Sequence, residues 1–384
     1  MNFPSLAILV PIWKEPIALL KQNRELFANI RYPGRHQVYW ILHHEDEETI
    51  RAARSLCEPY GLLISSKDKH LKAGNLNYAI AHVEEELIAV FDIDDAFTEG
   101  YFVEGVRALL EDPQVRLVTG QGTLSNKDAN LVTTCQEMER REWQFVWEHM
   151  ILKETGGWAP VPGSGFITWK QDLLEIGGFS EETVTEDIDM IVRLLKAGKR
   201  IRYFDESYAM EGATNLLVMM RQRARWYKGT LQLFKTHPDL KQTNETLFQT
   251  YLWSVCSPLL TVLRLAKYPI VLACDLGVGW KALLMFLLLF TDFEVPHWEL
   301  AKKHGLLPRR KTYSLFLLDL ANLVIPWMAI LDYWRRPLYW YLTPKRGISA
   351  GGGDGMGPTC GGHLQWRAPA GLVEIGQGDS RAVR

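Results

Sequence analysis

Over the first 240 residues, short apolar runs alternate with amphipathic stretches. Positions 6–10 are continuously apolar and stop at Pro11; similar runs stand at 38–42, 62–65, 87–91 and 115–119. Runs of this length, apolar on successive positions, predict strands buried on both faces. Between and after them, apolar residues at the 3.6-residue period predict helices over 17–29, 47–58, 73–86, 98–110, 188–197 and 219–234. Alternation of this kind builds an α/β domain around a mostly parallel sheet with right-handed crossovers, and such sheets bind ligands beyond the carboxyl ends of their strands.

Past residue 240 the pattern changes. Apolar stretches occupy 251–263, 268–290 and 313–331. The second is long enough to cross a bilayer, since about 20 residues span the hydrocarbon core. Expected organisation is therefore a catalytic-type domain over 1–240, a membrane region of two or three helices over 241–346, and a Gly-rich tail over 347–384 with the composition of a disordered segment. Asp275, Lys281, Asp319 and Pro326 interrupt the apolar stretches. Lys281 is read as snorkelling to an interface, while the acids either line a path or mark a break between short helices. Basic residues on both sides of the last stretch leave orientation open.

Charge narrows the function. With 43 Lys+Arg against 45 Asp+Glu there is no basic footprint for nucleic acid. The five cysteines, at 57, 135, 256, 274 and 360, have neither zinc-site nor disulfide-framework spacing, which fits a reducing cytosolic setting. Nothing at the start reads as a signal peptide.

The candidate chemistry lies just after predicted strands. Asp92-Ile93-Asp94 follows the 87–91 run, and two carboxylates one residue apart repel unless a cation lies between them. A divalent ion bridging a nucleoside diphosphate satisfies that need; the plain alternative is an acidic turn capping the next helix. Glu15 follows the first strand, and Glu45 and Asp46 the second, where an acid either meets a base or ribose or complements a helix dipole. Lys72 beside Gly74 at a helix start offers a charge and bare N–H groups to phosphate. Thr185 is read as the N-cap of the helix that Glu186 and Asp187 open. Gln222, Arg225 and Trp226 share one helix face, combining an amide, a guanidinium suited to diphosphate and an indole suited to a sugar ring. The same basic helix also suits a membrane surface.

Taken in order, Lys72-Ala73-Gly74-Asn75-Leu76-Asn77, Asp92-Ile93-Asp94, Thr185-Glu186-Asp187 and Gln222-Arg223-Ala224-Arg225-Trp226 resemble the signature of glycosyltransferase family 2, in its membrane-embedded branch of cellulose-synthase-like and hyaluronan- and chitin-synthase-like enzymes. The end of the apolar region, from Trp340 to Lys345, resembles that branch as well. The resemblance implies a Rossmann-like GT-A catalytic fold followed by transmembrane or interfacial helices, with the catalytic domain on the cytosolic side. It also implies Mg2+ or Mn2+, a nucleotide-sugar donor that is most often UDP-linked, and inverting transfer to a saccharide or lipid-linked acceptor. By resemblance Asp187 is the general base, Asp92 and Asp94 stand at the ribose and metal, and Glu15, Asp46, Lys72, Gln222 and Arg225 join Asp92 on the donor. Trp226, Gly163, Ser164 and Glu186 fall on the acceptor side. That branch commonly carries membrane helices ahead of the catalytic domain, whereas this chain opens a few residues before its first strand; the expectation is a reduced architecture or an incomplete sequence. A single-sugar transferase acting on a lipid carrier and a catalytically silent scaffold are the rival readings.

Overall fold

The structure is a computed structural model that describes residues 2–65, 71–146, 161–259, 315–339 and 343. Eight strands form one sheet: β1 (Leu6–Ile12), β2 (His36–His43), β3 (Gly61–Ser65), β4 (Leu87–Val90), β5 (Ala96–Phe97), β6 (Val115–Leu124), β7 (Phe166–Trp169) and β8 (Arg200–Met210), in the order β3-β2-β1-β4-β7-β6-β8-β5. The β3-β2-β1-β4 half is parallel throughout, as expected from its strand–helix alternation. The other half is mixed, because β7 enters between β4 and β6 antiparallel to both, and β5 runs antiparallel to β8. β5, of two residues, and β7, of four, run against their neighbours, so the even parallel alternation does not extend to them.

Apolar side chains on both sides of β1 explain its continuous run. Leu6, Ile8 and Val10 face one core together with helices α1 (Ile17–Phe27), α2 (Glu47–Leu56) and α4 (Tyr101–Glu111). Ala7 and Leu9 face the opposite core, built with α3 (Leu71–His82), α6 (Lys170–Glu175) and α7 (Glu186–Lys196). Fully burying a Leu or Ile contributes about 1.5–3 kcal/mol, and an apolar period on both faces does not by itself fix register. Polar contacts at the strand ends supply that fixity. Buried Asn23 accepts from the Trp40 indole at 3.0 Å and donates to the Ile93 carbonyl at 3.0 Å, tying β2 and α1 to the acidic turn after β4.

Four further helices complete the part of the fold that carries the site: α5 (Leu131–Val146), α8 (Leu216–Thr236), α9 (Leu240–Thr243) and α10 (Glu245–Leu259). Residues 315–335 form two helices, α11 (Leu315–Ala321) and α12 (Ile325–Arg335), where one apolar span over 313–331 was expected. The break falls before Pro326 in the first turn of α12, and Leu318, Ala321, Ile325 and Ala329 pack on Cys135, Met219, Ala224 and Tyr227 of α5 and α8. Among the described residues, no helix is long and apolar enough to cross a membrane. The expected 268–290 span and the Gly-rich tail lie outside the described residues, as do the ends of the other two apolar stretches.

Candidate active site

A cavity of about 540 Å³ opens at the carboxyl edge of the sheet. It brings together Glu15, Lys72, Asp92, Asp94, Gly163, Ser164, Glu186, Asp187, Gln222, Arg225 and Trp226, residues that sequence reasoning singled out across more than 200 positions. Asp46 stands apart. It is buried, accepts from the Thr49 N–H as the N-cap of α2 and from the Lys14 N–H at 2.6 Å, and is not among the cavity's lining residues. Its carboxylate accepts from backbone N–H groups and so shapes the 13–15 loop, where Lys14 has a positive φ of 51°; of the two acids expected at the donor, Glu15 lines the cavity and Asp46 does not.

The acidic turn is held from beneath. Asp95 is buried and its Oδ2 accepts from the Asp92 N–H at 2.7 Å, while Asp94 Oδ2 accepts from the Glu211 N–H at 3.0 Å. Neither Asp92 nor Asp94 caps α4, which starts at Tyr101 with Gly100 as its N-cap. Lys72 joins the turn to the opposite wall, its ammonium donating to Asp92 Oδ1 and to the Gly163 carbonyl, each at 2.8 Å. Gly163 sits close against both groups: a Cβ there would stand 3.3 Å from Asp187 Oδ2 and from Lys72 Nζ, and one of them would have to shift by a few tenths of an ångström.

Glu186 and Asp187 occupy the first turn of α7. Thr185 stands at the N-cap position, but its hydroxyl makes no capping bond, contrary to expectation. It is turned instead against Gly229 of α8, where any Cβ would collide with it. The loop before it is held through both backbone polar groups of Val184: Arg225 donates to the Val184 carbonyl at 2.9 Å, and Gln232 Oε1 accepts from the Val184 N–H at 3.0 Å. Two residues after Asp187, Asp189 accepts from Arg193 at 2.6 Å and pairs with His237 at 2.8 Å, fixing α7 to the end of α8.

Burial pushes the Glu186 carboxyl up to about 7, with the Asp187 charge adding to the rise and Lys72 and Arg225 opposing it. Burial also raises Asp187, against the pull of Arg225 and Lys72. Two carboxyls thus share one site with two cations, and their titrations are linked.

Part of the cavity wall was not read from sequence. Gln136, Glu139 and Arg140 of α5 line it beside Glu211, Tyr251 and Thr343. Arg223 pairs with Glu139 and its guanidinium lies 4.1 Å from the centre of the Trp226 ring, which holds that indole in place. The signal was the acidic and basic run from Glu137 to Arg141, whose mixed charge resembles an ordinary solvated helix face.

For a divalent cation the donor chemistry fits in part. Asp92 and Asp94 supply two hard oxygen ligands beside a lysine, the set that binds Mg2+ when substrate phosphates and water complete the shell. No group of three or more His, Cys, Asp or Glu residues arranged to hold an ion occurs among the described residues, so an all-protein cage is not built here.

Known proteins resemble this chain in sequence and, separately, in fold. Residues 87–293 match the profile of the glycosyl transferase family group 2. Beta-monoglucosyldiacylglycerol synthase of Trichormus variabilis is 28% identical over 245 residues, covering 62% of this chain and 52% of that protein. The UDP-forming cellulose synthase catalytic subunit of Pseudomonas fluorescens is 26% identical over 247 residues, covering 62% of this chain and 33% of that one. The match thus spans about half the length of the first relative and a third of the second. Among solved structures, the mannosyltransferase PcManGT from Pyrobaculum calidifontis, in complex with GDP-Man and Mn2+, superposes with a TM-score of 0.51 at 14% identity over 86% of this chain and 88% of its own, which is a likeness of fold. With more than half of its length matched by that profile, the chain belongs to the glycosyl transferase family group 2.

Proposed function

We propose that the protein transfers a sugar from a nucleotide-sugar donor, UDP-linked in the first instance, to a saccharide or lipid-linked acceptor at a membrane, with inversion at the anomeric carbon. The observation that carries this reading is the meeting of Lys72, Asp92, Asp187 and Arg225 in one cavity, two carboxylates and two cations around a space of about 540 Å³. Inverting transfer is a single in-line displacement, for which one carboxylate takes the acceptor hydroxyl's proton opposite the leaving group. Asp187 is that base. Lys72 and Arg225 neutralise the charge that accumulates on the departing diphosphate, and Arg225 also keeps the loop that carries Asp187 in register. Glu15 and Asp92 orient the nucleoside, and Trp226, stacked on Arg223, offers its ring to the acceptor's terminal sugar. A divalent ion held by Asp94 and Asp92 would supply further charge stabilisation at the diphosphate.

Membrane association is part of the proposal. One face of α12 is buried through Ile325 and Ala329, while Trp327, Leu331 and Trp334, at the i, i+4, i+7 spacing, are exposed on the other. Indoles on an unburied apolar face suit the interfacial layer of a bilayer. A glycolipid acceptor gains support from this stripe and from the diacylglycerol-linked product in the name of one relative; a growing polysaccharide gains it from the name of another.

The metal assignment has a direct test in nucleoside-diphosphate binding with and without Mg2+, by calorimetry. Asp94→Ala should abolish the metal-dependent part of the affinity, whereas identical affinities for parent and variant in Mg2+ would remove Asp94 from the site.

A further inference from the structure

Lys228 of α8 is among the largest fully buried side chains of the molecule, at 1% exposure, and the cavity does not use it. Its ammonium donates to Asp332 Oδ2 at 2.6 Å, to the Arg336 carbonyl at 3.2 Å and to the Tyr339 carbonyl at 3.0 Å. Three donors thus meet three acceptors, all from the end of α12 and the turn after it. One helical turn further along α8, Gln232 faces two ways: its Nε2 donates to the Pro337 carbonyl at 2.8 Å, and its Oε1 accepts from the Val184 N–H at 3.0 Å.

A buried ion pair of this kind is a poor source of stability, since its desolvation offsets most of its attraction and apolar replacements are often neutral or better. Apolar contact between α12 and α8 is in any case provided by Ile325 and Ala329 against Met219 and Ala224. What three directional bonds add is a single register. We infer that Lys228 and Gln232 are positioning residues, which make residues 325–339 part of the catalytic apparatus by locking α8 against the loop that delivers Glu186 and Asp187. The connection runs without a gap. Asp332, Arg336 and Tyr339 hold Lys228; Pro337 holds Gln232; Gln232 and Arg225 hold the backbone N–H and carbonyl of Val184, three residues before Asp187. A displacement of 1 Å at a reacting group can cost about 10²-fold in rate.

This inference rests on Asp187 as the base, but its mechanical half can be read without turnover. The full-length protein is compared with Lys228→Met, Gln232→Leu and the pair Lys228→Met/Asp332→Leu, by amide exchange, thermal midpoint and sugar-transfer kcat and KM. Exchange in a peptide covering 183–189 should quicken by about tenfold in both single variants, and transfer kcat should fall by about tenfold or more with donor KM nearly unchanged. The paired variant restores an apolar contact without the bonds to the two carbonyls, so it should recover the thermal midpoint but not the rate. Recovery of both would show a purely structural pair and overturn the inference, as would unchanged exchange at 183–189 in both single variants. A parent that turns over no nucleotide sugar while its single variants exchange faster at 183–189 would sink the proposed function and leave the lock standing.

Discussion

Glu186 and Asp187 are adjacent, both at a helix start and both raised by burial, yet their surroundings give them different work. Asp187 faces Gly163 and Lys72 across the cavity, and in the proposed transfer it is the group that takes the proton. Glu186, raised to about 7, changes its charge in the range around neutrality. For stability the sign is plain: a carboxyl whose folded value is raised binds more protons in the native state, so its contribution declines as pH rises from the ordinary range towards 7. For activity it runs the other way, since the base form of the pair is gained as pH rises. Glu186→Gln removes the carboxyl raised to about 7 from the pair and should move the acid limb of the kcat profile to lower pH; an unmoved limb would separate the two carboxyls. At this scale much of the site was legible, because Asp and Lys residues after strands have few uses that do not face the ligand edge. Asp46 was not, since a cap and a ligand contact call for the same residue at the same place, and only its bonds to the Lys14 and Thr49 N–H groups distinguish them.

Among the elements, α8 does the most to assemble the site. Its cavity face carries Gln222, Arg225 and Trp226, and its next turns carry Gly229 against Thr185 and Gln232 against Val184. Gly229→Ala should push α8 from the α7 start, lowering stability by about 1–3 kcal/mol as overpacking does and lowering transfer more than donor binding; a variant with parental melting and rate would show the contact to be loose. The face itself could be read from the i, i+3, i+4 spacing. The use of Thr185 could not, because a threonine before a helix reads as a cap, and its turn towards Gly229 depends on a partner 44 positions away in sequence. The antiparallel entry of β7 was hidden for a similar reason: a four-residue strand preceded by loop carries no directional signal.

Across the whole molecule, residues 315–339 join the catalytic domain through a shared core and through Lys228, so they are more than a tether. The sequence revealed their apolar content but not its division, since one stripe of α12 packs inward and the other stays exposed, and hydropathy sums the two. Replacing Trp327 and Trp334 together by Glu should weaken co-sedimentation with anionic lipid vesicles by about tenfold or more, given the cost of charge at an apolar boundary, while leaving nucleoside-diphosphate affinity unchanged. Undiminished sedimentation would take the stripe out of the membrane account.

The central claim, sugar transfer with Asp187 as base, is tested most directly by incubating purified parent and Asp187→Asn proteins with a panel of nucleotide sugars and Mg2+ or Mn2+, and following nucleoside-diphosphate release and product anomer. The parent should consume one donor and form a β-linked product, while Asp187→Asn binds that donor equally and turns over about 10²–10⁴ times more slowly. Parental turnover by Asp187→Asn, or no consumption of any donor by the folded parent, would contradict it.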